Sequence, residues 1–235
     1  FALWVYLSQT PLLWLTLTLL VYAAADAVSA ATDRHPLANP VLHSVWVIGV
    51  ILLLTGTPYP EYFNGAQFVH FVLGPATVAL AVPLYENRKV VLSAIVPMAV
   101  AVLVGGITAI VSIVVLARLV GLPTNVVLAL APKSVTAGVA MGISESLGAD
   151  PSITAVCVML TGIMGAIIVT PLMNRLRITD YRARGFAAGL TAHGIGTARA
   201  FQVDTVAGVF AGVAMSLNAL VTSLIVPVAV TLLMR

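Results

Sequence analysis

The stretch Thr205–Met234 carries no charged side chain, and Val90–Ala117 and Pro151–Asn174 are equally free of charge. Uncharged apolar runs of this length are spanning helices, since a bilayer core takes about 20 residues of helix. Pro11–Ala31 joins them with Asp26 as its one charge, and Val41–Thr57 is just long enough to cross. Of the whole chain, 60% is hydrophobic and only 8% charged, against roughly 25% charged in a soluble domain. Such a chain cannot cover a water-facing surface. The predicted fold class is an all-α integral membrane protein forming a single transmembrane domain over residues 1–235. At about 20 residues per span it holds about eight membrane elements. The chain opens on Phe1 without a methionine, so a preceding segment is expected.

The polar segments between the runs read as turns. TDRHPLANP (32–40) is closed by two prolines, and PYPEYFNG (58–65) suits a loop at the headgroup level. Trp4, Tyr6 and Trp14 are candidate interface anchors. RLRITDYRAR (175–184) is a basic loop, and Asp150 before Pro151 reads as a helix cap. The net charge of +3 gives no reason for nucleic-acid binding, and Cys157, the one cysteine, permits neither an internal disulfide nor a cysteine metal cluster.

Three stretches share a plan in which a broken, polar element and a turn precede a clean apolar helix. They run over 67–118, 124–176 and 184–234. In the first, Gly74-Pro75 marks the expected break; in the second, Pro132; in the third, the glycines of TAHGIGTARAF (191–201).

Within LAPKSVTAGVAM (130–141), Lys133 follows Pro132 in the middle of an apolar run. A lysine at the bilayer centre costs about 2.5–3.5 kcal/mol, and broken backbone is viable there only inside protein or beside water. Two unfavourable features at one point indicate a site. A broken helix exposes the amide-rich N-terminus of its second half, where anions bind. Lys133 adds a full charge, and Ser134 and Thr136 add hydroxyls. A second half of the site is read in Gly194 and Gly196, which permit close backbone approach, with Thr197 as a donor and Arg199 as a bidentate partner for a carboxylate. His193 is a candidate proton carrier, with Glu145 a further one, and His70, Pro75 and Thr77 form a candidate third wall. Plainer readings stand beside these: Lys133 snorkelling to headgroups, Arg199 as an end-of-helix charge near Asp204, His193 as a packed polar residue, His70 as structural. The enzyme motifs HExxH, GxSxG and SxxK are absent, so no enzyme, cofactor or metal site is expected.

Three stretches carry a family resemblance: GAQFVHFVLGPATVALAVPLY (65–85), LAPKSVTAGVAMGISESLG (130–148) and AHGIGTARA (192–200). In that order, and over nearly the whole chain, they resemble the LrgB/CidB/YohK family. The resemblance implies the bacterial plasma (inner) membrane and two competing functions. One is transport of small 2-hydroxy or 2-oxo monocarboxylates. A plastid-envelope member fused to an LrgA-like part looks like a glycolate/glycerate translocator, and bacterial members are associated with pyruvate movement. The other is a holin-like role with a small LrgA-type partner, influencing murein hydrolase activity and lysis. A carboxylate clamp on a broken helix is not needed by a lytic pore, so the residues point to an alternating-access carrier, with a homodimer expected by analogy with other carriers. Two or three elements are expected to be discontinuous or re-entrant. If Val126–Ser144 alone is re-entrant, Arg34, Arg88 and Lys89 share a side with the basic loop, as the positive-inside rule requires.

Overall fold

A computed structural model describes residues 10–79 and 81–233, without the side chains of residues 70, 73, 74 and 77. Among the described residues there are helices and turns and no strand. The chain divides into two compact units, Phe1–Val82 and Pro83–Arg235.

The first unit holds α1 (Pro11–Ala31), α2 (Pro40–Thr55) and α3 (Tyr59–Ala79). Asn39 caps α2 by accepting from the amides of Val41 and Leu42, with Pro40 at the first helical position, where its missing N–H costs nothing. Trp14, expected at the membrane interface, is instead fully buried, its ring edge-on to Tyr62 with centroids 5.9 Å apart. Gly65 makes that approach feasible: a Cβ there would lie 2.8 Å from the Leu15 nitrogen. Asp26, the charge inside the first run, pairs with both terminal nitrogens of Arg34.

Two expectations are corrected in this unit. PYPEYFNG is helical from Tyr59, because a proline in the first turn removes no intrahelical bond. The break at Gly74-Pro75 is not formed: α3 continues through Pro75, which cannot supply an intrahelical amide, to Ala79. Pro75 is exposed. The side chains of His70 and Thr77 lie outside the described residues, as do Trp4 and Tyr6.

Two short helices, α4 (Ala81–Glu86) and α5 (Arg88–Ser93), precede α6 (Ile95–Leu119). The single span expected over Val90–Ala117 is therefore divided at Ala94, and Pro97 falls in the first turn of α6. Helix α6 buries Met98, Val102, Gly106, Ile110 and Val114, a four-residue spacing that marks one face. There follow α7 (Thr124–Leu130), α8 (Ala137–Ser146), α9 (Pro151–Arg175), α10 (Tyr181–Val203) and α11 (Thr205–Leu233). Asp150, Asp180 and Asp204 cap α9, α10 and α11, each accepting from an amide two residues on.

Helix α10 is not straight. At Ala192 and His193 the backbone leaves helical geometry, His193 adopting φ 42° and ψ −130°. The chain turns back there. Gly196 meets the Ala188 carbonyl closely enough that a Cβ would overlap it, and Arg184 and Gly185 share a cavity with Arg199 and Val203. The first leg lies along the start of α11, where Gly185 packs on the Ala207 backbone and Gly189 on that of Ala211. Side chains at these glycines would push the helices apart.

Helices α7 and α8 form a second folded-back pair. Val127 of α7 and Ile143 of α8 enter one core cluster with Val226 and Val230 of α11. In the connecting segment, residues 131–136, Ala131 stays in that cluster while the Ser134 carbonyl accepts from Asn218 of α11, about 12 Å along the helix from Val226. Thr154, in the first turn of α9, meets Ala129 at the end of α7 and Ser144 near the end of α8, so α8 folds back beside the last turn of α7. The α10 hairpin is rooted at the far end of α9, beside Val169 and Thr170. Ser134 from the first break and Leu190 just before the second turn both meet Asn218 in the middle of α11.

Helices α1, α6, α9 and α11, of 21, 25, 25 and 29 residues, are each long and apolar enough to cross a bilayer.

Candidate functional site

Breaking a helix orphans carbonyls that cannot stay unpaired in an apolar interior. Each break here is answered by a side chain. In a continuous helix the Ala129 carbonyl would accept from the amide of Lys133, but that amide bonds to Leu130 at 3.2 Å. The Thr154 hydroxyl takes the freed Ala129 carbonyl at 3.1 Å and meets the Ser144 hydroxyl at 2.7 Å. On α10 the Asn218 amide donates at 2.9 Å to the Leu190 carbonyl, two residues before the turn. The same amide nitrogen donates to the Ser134 carbonyl at 3.2 Å, and Thr222 donates to the Asn218 oxygen at 3.0 Å. One buried asparagine therefore joins the two hairpin tips.

His193, at the tip of α10, is buried and held on α9 by a 2.9 Å contact between Nε2 and the Val158 carbonyl. Gly162 makes room for the ring: a Cβ there would stand 2.5 Å from Cε1. Gly165 does the same for Ala192, at 2.6 Å from its Cβ. The Thr197 hydroxyl donates to the His193 carbonyl at 2.8 Å, closing the first turn of the second leg.

Beside the tips lies a cavity of about 490 Å³, lined by Lys133 and Ser134 from the first break, Thr161 from α9 and Thr191 from the residue before the second turn. Leu160, Met164, Ile168, Leu172 and Met173 of α9 form its apolar wall. Ser134 is buried and Lys133 half-buried. Cys157 is half-buried on α9, one turn before Thr161.

The remaining residues singled out from sequence occupy other places. Thr136 is the N-cap position of α8, with no capping bond from its hydroxyl. Glu145 is exposed near the end of α8. Gly194 has open space around its Cα, whereas Gly196 is used up in packing against Ala188. Arg199 is buried, meets Gln202 at 3.5 Å, and lines a separate cavity of about 20 Å³ with Arg184. Lys133 and Ser134 are thus brought together in one cavity, and His193, Thr197 and Arg199 are not among its lining. Among the described residues no three His, Cys, Asp or Glu side chains gather as a metal site.

Sequence reasoning missed Asn218, Thr154, Thr161 and Thr191. The available signal for Asn218 was an amide at the centre of a charge-free run, a group that must find partners away from water.

A family model described as the LrgB-like family matches residues 18–232. A Bacillus subtilis protein named uncharacterized protein YwbG is 38% identical over 208 residues, covering 88% of this chain and 92% of its own length. Holin-like protein CidB of Staphylococcus epidermidis is 30% identical over 220 residues, covering 94% and 96%. Its Staphylococcus aureus namesake is 29% identical over 221 residues, with the same coverage. No solved structure matches the chain. With its four spanning-length helices and these relatives, the chain is an integral inner-membrane protein.

Proposed function

This chain belongs to the LrgB-like family, and from that premise we propose that it is a holin-like component of the bacterial plasma membrane. It acts with a small LrgA-type membrane partner and influences murein hydrolase activity and lysis. The observation that carries this reading is the name of the CidB relatives, aligned with this chain over 96% of their length.

A second reading is favoured by one feature of the site: Lys133 and Ser134 line a single cavity at a helix break. In that reading the protein is a secondary carrier of small 2-hydroxy or 2-oxo monocarboxylates, of the glycolate, glycerate, lactate or pyruvate class. The ammonium of Lys133 neutralises the carboxylate, and the hydroxyls of Ser134, Thr161 and Thr191 bond its oxygens. The free amides at the start of α8, beside Thr136, add a positive dipole end. The α7–α8 and α10 hairpins are re-entrant from opposite membrane faces. Neither α7 nor α8, at 7 and 10 residues, spans about 30 Å alone. Alternating access follows if the hairpin tips part from one another while their roots stay fixed on α9 and α11. Arg199, Thr197, Gly194 and Gly196 serve the second hairpin, and His193 and Glu145 are the groups available to couple a proton. A homodimer is the expected assembly.

Proteoliposomes separate the two readings. Release of trapped dyes of many sizes and charges, dependent on an LrgA-type partner, supports the holin-like role. Saturable uptake of labelled glycolate, glycerate or pyruvate, competed by unlabelled acid, lost in Lys133→Ala and without dye release, overturns it in favour of the carrier.

A further inference from the structure

The cavity beside the tips is not uniform, and its asymmetry states what it is shaped to hold. Its cation and hydroxyls are gathered at one end: Lys133 and Ser134 at the first break, Thr161 opposite, Thr191 beside the second turn. From there Met164, Ile168 and Leu172 follow one another at four-residue intervals, lining one face of α9 towards its C-terminus. The distance from Thr161 to Met173 is about 18 Å along the helix. At about 490 Å³ the cavity has room for roughly sixteen waters at about 30 Å³ each. A two- or three-carbon acid fills a small part of that space and leaves the apolar wall uncovered.

We infer that the cavity takes a monocarboxylate bearing an apolar tail, of the size of a branched-chain 2-oxo acid, with the carboxylate at Lys133 and the tail along Met164, Ile168 and Leu172. The inference rests on the carrier reading and narrows its substrate class. Among the described residues one lysine and no second cation line the cavity, which matches a single negative charge. A dicarboxylate would place its second charge on the methionine and isoleucine wall, without a partner. The hydroxyls of Ser134 and Thr161 can bond a 2-oxo or 2-hydroxy oxygen, which keeps the head of the ligand the same along a series of tails.

The test is direct binding to the purified full chain in nanodiscs, by calorimetry, using pyruvate, 2-oxobutanoate, 2-oxopentanoate and 4-methyl-2-oxopentanoate, with 2-oxoglutarate as the doubly charged member. Affinity is expected to rise about fourfold per added methylene, with 2-oxoglutarate weakest. Ile168→Trp, at an exposed wall position, is expected to weaken the tailed acids at least tenfold and leave pyruvate within twofold. Lys133→Ala is expected to lose every member. A flat series, or tightest binding by pyruvate, overturns the tail preference and leaves the carrier reading standing. No binding by any acid to well-folded protein overturns both, and assigns the groove to bilayer lipid.

Discussion

Asn218 concentrates in one side chain what both helix breaks require. Its amide nitrogen serves the Ser134 and Leu190 carbonyls, 84 and 28 residues away in sequence, and its oxygen accepts from Thr222. An unsatisfied buried polar group costs about 1–3 kcal/mol, whereas an interhelical hydrogen bond within a membrane averages only about 0.6 kcal/mol. The penalty for orphaning the carbonyls therefore outweighs the attraction lost. Asn218→Leu is expected to destabilise the protein by about 2–4 kcal/mol and Thr222→Val by under about 1 kcal/mol, read as chemical unfolding in mild detergent. Equal effects would mean that the two tips do not depend on the amide. Lys133 was legible in the sequence because a charge in an apolar run is conspicuous. Asn218 was not, because its importance lies in partners that only the folded chain brings near. Cys157 supplies a native reporter of the same region. If Lys133 makes the cavity attractive to anions, an anionic thiol reagent will label Cys157 faster than a cationic one, and Lys133→Gln will remove that preference, as followed by mass spectrometry.

At the scale of elements, the boundaries of α1, α9 and α11 were readable from apolar runs and their caps. The break after Leu130 was equally readable, since Pro132 lacks the amide a helix needs. The turn in α10 was read from Gly194 and Gly196, yet the residue that makes it is His193, at φ 42°. Composition pointed to the glycines because they permit such angles, while the bond to Val158 and the space at Gly162 hold a histidine there instead. This has a measurable consequence. His193→Gly relieves the backbone and loses one contact, so it is expected to keep a monodisperse protein by size-exclusion chromatography. His193→Val combines a β-branched side chain with a left-handed φ and is expected to aggregate. The cap at the root of the same hairpin is pH-sensitive. The guanidinium and amide of Arg182 hold the Asp180 carboxylate below its ordinary range. Its contribution is complete above the ordinary aspartate range and fades as pH falls through the lowered value. Asp180→Ala should cost about 1 kcal/mol at neutral pH and markedly less under strong acid, in thermal melts of the two proteins.

For the whole molecule, the decisive relation is between the hairpins and the bilayer. Ser144 of α8 and Ala129 of α7 both meet Thr154 at the N-terminal end of α9, and in the re-entrant arrangement proposed above Leu122 and Gly148 flank a segment that leaves and returns on one side. The α10 hairpin is rooted at the opposite end of α9, close to Arg177 and Asp204. The start of α6 also borders Asp180 and Arg182, which brings Arg88 and Lys89 towards the same end as the basic loop. If both hairpins are re-entrant, that gathering of lysine and arginine assigns this end to the cytoplasm by the positive-inside rule. Hydropathy alone could not decide the matter, because a folded-back pair of half-length helices has the same apolar content as one crossing helix. Single cysteines placed at Leu122, Gly148, Arg177 and Asp204 in a Cys157→Ser background distinguish the two arrangements in intact cells. Two re-entrant hairpins require Leu122 and Gly148 to react with an impermeant thiol reagent from outside, and Arg177 and Asp204 to react only after permeabilisation. Were Thr124–Ser146 to cross the bilayer, Leu122 and Gly148 would label from opposite faces. The tips would then no longer meet from opposite sides, and Asn218 would have no pair of entering hairpins to join.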